Sequence, residues 1–165
     1  MKLNSTLMSA AAAAALISTL AVSPAGAADA SNEMSMVNPG AIKWGDAPPS
    51  MPKGAKVAVL SGDPSKPGPF TLRIRTPAGY KIAPHTHTQS ENLTVLSGTL
   101  YLGMGEKVEM AKAHALSAGG FHFLPGKTVH YAFSKVPTVV QVHGEGPLDL
   151  NYVDPKDNPD KSAKP

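Results

Sequence analysis

The chain has 165 residues, no cysteine, 15 glycines, 16 prolines and a formal net charge of +3 at neutral pH. That length suits one domain with a real core, and the high Gly and Pro content argues for many turns and against a helical bundle. The charge is too small and too scattered for a nucleic-acid footprint, and without cysteine there can be neither disulfides nor thiolate metal ligands.

In chain order, Met1-Lys2 places a positive charge ahead of Leu7 to Val22, a charge-free run rich in Ala and Leu, and Ala25-Gly26-Ala27 is a small-residue A-x-A site. These regions predict a secretory signal peptide over residues 1–27, cleaved after Ala27. The competing reading is a membrane anchor, but 16 residues of weakly apolar sequence fall short of the roughly 20 that span a bilayer. Cleavage removes only one charge, Lys2, and leaves +2. The expected location is the periplasm or the medium, with no membrane association afterwards.

Residues 28–55 predict an irregular arm, punctuated by Asn38-Pro39-Gly40 and by Ala47-Pro48-Pro49-Ser50-Met51-Pro52. Trp44, the only tryptophan, is expected to clamp that arm to the body. From Lys56 the pattern turns to strands. Val57–Leu60 is a short apolar run, and Phe70, Leu72 and Ile74 alternate with polar residues on one face. Leu93–Leu96 and Thr99–Leu102 flank Ser97-Gly98, a two-residue hairpin signal. Glu106–Leu116 is rich in helix formers and predicts a short helix. Further strands are expected over Phe121–Leu124, Val129–Phe133, Thr138–His143 and Leu148–Val153, and then a loose polar tail over residues 154–165. About eight short strands at turn-punctuated spacing imply an all-β sandwich or barrel, and a jelly roll fits well.

The chemistry concentrates in Pro84 to Glu91, PHTHTQSE. In a strand, His85 and His87 project to the same face with Cα atoms roughly 6.5 Å apart, close enough to share an ion. Continued strand would carry Glu91 about 20 Å from His85, so Glu91 can join only if the chain bends at Thr88-Gln89-Ser90. Two other readings compete: Thr88-x-x-Glu91 matches a helix capping box, and an HxH pair can be a plain polar edge. The β-branched run after Glu91 disfavours the helix.

The surrounding framework resembles the cupin superfamily. Its first motif, G-(X)5-H-X-H-(X)3-4-E-(X)6-G, matches GYKIAPHTHTQSENLTVLSG from Gly79 to Gly98 at every fixed position. Its second, G-(X)5-P-X-G-(X)2-H-(X)3-N, is similar to GGFHFLPGKTVHYAFS, with Gly119, Pro125 and His130 in place. Two positions depart: glycine falls at Gly126 rather than at Lys127, and Ser134 stands where Asn is usual. The resemblance implies a cupin jelly-roll β-barrel over residues 56–153, preceded by the irregular arm. It also implies that His85, His87, Glu91 and His130 bind one divalent metal.

Three imidazoles and a carboxylate suit Fe(II), Mn(II), Ni(II), Cu(II) or Zn(II). An octahedral ion would keep two open positions, whereas tetrahedral zinc would be closed and structural. Met34, Met36, Met51 and Met104 show no copper-type spacing. Gln141 and His143 share one face of a late strand; if that face lines the barrel, they are candidates for the pocket or for orienting a ligand. His122 faces away from Phe121 and Phe123, toward a side the sequence does not identify, and His114 is expected at the surface. The expected function is an exported mononuclear metalloenzyme, of oxygenase or isomerase type, on a small organic molecule. Alternatives are a non-catalytic small-ligand or metal sensor module and a protein with a purely structural ion. A homodimer is a further expectation of the resemblance.

Overall fold

The computed structural model describes residues 34–160. The expected signal peptide over 1–27, with its cleavage point after Ala27, lies outside the described residues, as do the first part of the arm and the end of the tail. Eleven strands run in order: β1 (Gly45–Asp46), β2 (Lys56–Ser61), β3 (Gly68–Thr76), β4 (Lys81–Thr86), β5 (Glu91–Ser97), β6 (Thr99–Met104), β7 (His114–Ser117), β8 (Phe121–Leu124), β9 (His130–Ser134), β10 (Thr138–Gly146) and β11 (Asn151–Tyr152). They form two wholly antiparallel sheets. One has the order β1-β2-β3-β10-β5-β8 and the other β11-β4-β9-β6-β7. This is the expected jelly roll, with no ladder closing the two sheets into a cylinder among the described residues.

Period-two alternation sets which residues enter the core. Phe70 and Leu72 of β3, Leu93 and Val95 of β5, Leu100 of β6, and Val140 and Val142 of β10 are buried together between the sheets. Ile74 packs against that cluster. The arm is docked on this body. Its strand β1 pairs with β2, and Met51 and Ala55 form a second apolar cluster with Tyr80. The Tyr80 and Tyr152 hydroxyls each donate to an arm carbonyl, of Pro52 and Ser50, at 2.8 Å. Trp44 lies under the Arg75 guanidinium, 4.7 Å from its ring centre, the expected clamp.

Two local expectations give way. Ser97-Gly98 joins β5 to β6 without pairing them: β5 lies in the first sheet and β6 in the second. It is a crossing between layers rather than a hairpin. Gly98 has φ 78°, and a Cβ there would sit 2.4 Å from the Pro137 carbonyl oxygen. The stretch expected as a helix over 106–116 holds only a single 3-10 turn, Met110–Lys112, before β7. Ladder bonding of Ala115 and Leu116 to Tyr101 and Leu100 outweighs helix propensity, which is worth only tenths of a kcal/mol per residue.

Candidate metal centre

The centre forms where the two sheets approach at one end. β4 pairs with β9 so that His85 and His130 are direct cross-strand partners. The chain then leaves β4, bends at Thr88–Gln89, and re-enters the opposite sheet with Glu91 as the first residue of β5. The bend that Glu91 requires is therefore present, and the capping-box helix is not. The Thr88 N–H and hydroxyl donate to the Asp149 carboxylate at 2.7 and 2.6 Å. On the other side, Lys127 N–H donates to the His87 carbonyl at 2.7 Å and Gly126 N–H to Ser90 Oγ at 3.2 Å. His85, His87, Glu91 and His130 are all buried.

Three imidazoles share one device. His85 Nδ1 is 2.7 Å from the Ala83 carbonyl, His87 Nδ1 2.5 Å from that of Asp149, and His130 Nδ1 3.0 Å from that of Thr128. A carbonyl can only accept, so each ring carries a proton on Nδ1 and in its neutral form presents the Nε2 lone pair. Ligand nitrogens of these three rings lie within 4.8 Å of one another. Burial, reinforced by His130, pushes the His85 imidazole down to about 3, and burial pushes His130 down to about 4. Both are neutral at physiological pH, the form a metal needs.

Glu91 Oε2 lies 3.7 Å from His87 Nε2 and 3.9 Å from His130 Nε2, and stands outside the mutually converging set. Burial raises its carboxyl above the usual range, only partly opposed by His87. A cation between it and the imidazoles would reverse that shift. The donor set, the fixed tautomers and the desolvated carboxylate all fit a divalent ion.

His122 also belongs here, and the sequence did not resolve it. It opposes Leu93 across the β5–β8 ladder and faces inward, with Nε2 4.0 Å from Glu91 Oε2. Burial, with a contribution from His87, pushes it down to about 4. The alternation of Phe121 and Phe123 could have flagged it only once their exposure was known. Gln141 and His143 do the opposite: Val140 and Val142 take the inner face of β10, so these two point outward. Gln141 accepts from Arg73 Nε at 3.1 Å, and His143 is exposed, neither reaching the centre.

His87, Glu91, His122 and His130 form the polar end of a cavity of roughly 80 Å³. Its walls are otherwise mostly apolar, including Ile74, Leu93, Leu100, Leu102, Phe133 and Val140. Ser134, at the departing motif position, is buried at the opposite end, bonded to Thr76 Oγ1 and the Pro77 carbonyl at 3.1 Å each.

A two-sheet antiparallel jelly roll is the fold of a cupin, and solved structures agree on that fold. The polyketide cyclase RemF from Streptomyces resistomycificus superposes with a TM-score of 0.62 at 15% identity, covering 77% of this chain and 90% of that one. A candidate acetylacetone dioxygenase from Methylibium petroleiphilum PM1 gives 0.58 at 19%, covering 77% and 85%. An RmlC-like cupin from Ralstonia eutropha JMP134 gives 0.57 at 20%, covering 76% of each chain. At such identities the likeness is one of fold. The chain belongs to the family described as a domain of unknown function, DUF4437, whose model matches residues 23–151. No curated protein matches it.

Proposed function

We propose that this chain is an exported cupin that binds one divalent transition metal through His85, His87, His130 and Glu91. On this reading it is a mononuclear metalloenzyme of oxygenase or isomerase type acting on a small organic molecule. The observation that carries the reading is the set of three backbone carbonyls that hold Nδ1 protonated and turn three Nε2 lone pairs inward. Imidazoles serving only as core filling need no common tautomer or common focus, whereas metal-bound ones do. A bound divalent ion would supply Lewis-acid polarisation of a ligand oxygen. The chain's own residues do the rest. The carbonyls of Ala83, Asp149 and Thr128 orient the rings, Glu91 brings a carboxylate to balance charge, and the apolar walls exclude water. The adjoining cavity favours a site that admits a small molecule over a closed structural ion. Structural neighbours that include a polyketide cyclase and a candidate acetylacetone dioxygenase support a small organic substrate.

The test is elemental analysis of protein purified from the periplasm or the medium. One transition metal per chain is expected, on a polypeptide whose mass begins at Ala28. The His85→Ala, His130→Ala double variant should lose the metal. Equal metal content and equal stability in that variant would sink the proposal. A mass that retains residues 1–27 would refute the export step alone.

A further inference from the structure

His122 differs from the other imidazoles of the centre in one respect. Its side chain is nine-tenths buried, yet neither Nδ1 nor Nε2 has a hydrogen-bond partner among the described residues. The ring cannot relieve this by turning to solvent. Strand alternation sends Phe121 and Phe123 outward and His122 into the cavity, opposite Leu93 and beside Glu91. Two buried polar atoms without partners are costly, which suits a ring placed to meet a polar group that enters the cavity.

It is not built like a ligand. A metal-bound imidazole donates its second ring N–H to a carbonyl or carboxylate, which fixes ring orientation. His85, His87 and His130 each have that bond and His122 has none. Its Nε2, at 4.0 Å from Glu91 Oε2, is too far for a hydrogen bond.

We propose that His122 is a hydrogen-bonding partner for the molecule held in the cavity, acting beside the metal rather than as a fifth ligand. The inference rests on the metal reading above and narrows the class of ligand. A ligand that satisfies both the ion and His122 carries two oxygen atoms close together on a compact apolar body. A hydroxyketone, an enolised dicarbonyl and a hydroxamate are of this class. A neutral imidazole with an unfixed tautomer can donate to a carbonyl or accept from a hydroxyl, so His122 tolerates either oxygen. The mostly apolar walls disfavour sugars and other polyols.

The test uses the mature chain with 15N-labelled histidine, Zn(II) as a diamagnetic ion and acetohydroxamate as the two-oxygen probe. Zinc should shift the Nε2 resonances of His85, His87 and His130 and leave those of His122 in place. Acetohydroxamate should then shift His122. By calorimetry, His122→Leu should bind zinc within about threefold of the unsubstituted chain but acetohydroxamate about tenfold more weakly, the value of one hydrogen bond. His122→Gln, which still donates and accepts, should recover most of that loss. A His122 nitrogen that shifts on zinc alone, or a hundredfold loss of zinc affinity in His122→Leu, would make it a ligand and overturn the inference. Unchanged acetohydroxamate affinity in His122→Leu would overturn it while leaving the metal reading intact. Failure of the unsubstituted chain to bind zinc would overturn both.

Discussion

At the scale of single residues, the loop Pro125–Thr128 shows how one glycine is placed between two demands. Gly126 packs so closely on the bend after His87 that a Cβ there would sit 2.6 Å from the Thr88 carbonyl oxygen. Its neighbour Lys127 holds φ 65°, the only non-glycine residue with positive φ among the described residues. A backbone clash at 2.6 Å forces the loop away from the histidine bend, whereas a left-handed lysine costs only about 1–2 kcal/mol. Glycine therefore stands where the penalty is larger, which explains the departure from the cupin spacing noted in the sequence. Lys127→Gly should raise stability by up to about 1 kcal/mol, because the relief of strain is partly offset by the greater freedom of glycine in the unfolded chain. The urea midpoint measures this. Gly126→Ala should act in the opposite sense, costing about 1–3 kcal/mol. It should also weaken metal retention, since the loop bonds to the His87 carbonyl and to Ser90.

At the scale of elements, one buried hydroxyl bridges the crossing between the sheets. Thr138, almost wholly buried, accepts from the Thr99 N–H at 3.2 Å and reaches the carbonyls of Thr99 and Val136 at 3.1 and 2.9 Å. This bridges the start of β6 in one sheet to the start of β10 in the other. Thr138→Val keeps the shape but strands buried backbone groups, and a loss of about 1–3 kcal/mol is expected in chemical denaturation. The strands themselves were legible in the sequence wherever alternation was clean, as at Phe70–Ile74 and Phe121–Leu124. Their partners were not. Ser97-Gly98 carries the chemistry of a tight reversal, and local sequence does not distinguish a reversal within a sheet from a step between sheets. β11, of two residues, is shorter than the strand expected over Leu148–Val153, because the preceding residues cross the bend after His87 instead: Asp149 bonds to His87 and Thr88.

At the scale of the whole molecule, burying the imidazoles couples stability to pH. In the metal-free protein His85 titrates at about 3 and His122 and His130 at about 4, against 6.5 for a free imidazole. Below pH 6.5 the unfolded chain takes up protons that the native chain refuses, so stability falls as pH drops from 6.5 toward 4. Each such group contributes a slope of up to about 1.4 kcal/mol per pH unit. The raised carboxyl of Glu91 works against this. Above its ordinary 4.5 the native chain holds a proton that the unfolded chain has lost, which reduces the net slope. The Tm of chelator-treated protein should therefore be lower at pH 5.5 than at pH 7.5 by scanning calorimetry. A saturating divalent ion should raise the Tm at pH 7.5, and raise it less at pH 5.5, where the raised carboxyl of Glu91 more fully holds a proton that the ion must displace.

What the sequence alone determined is what depends on spacing along the chain. Period-two alternation predicted strands, and His85-x-His87 predicted a shared face. The run from Gly79 to Gly98 then pointed to the cupin fold. Only the tertiary structure decided what depends on which strands become neighbours. It brought His130 across from His85, turned the chain so that Glu91 approaches His87, and sent Gln141 and His143 outward. It also placed His122 inside, unpaired, at the polar end of the cavity. The physical reason is that alternation says only that neighbouring side chains point to opposite faces. Which face is the interior is decided by the packing of one sheet on the other.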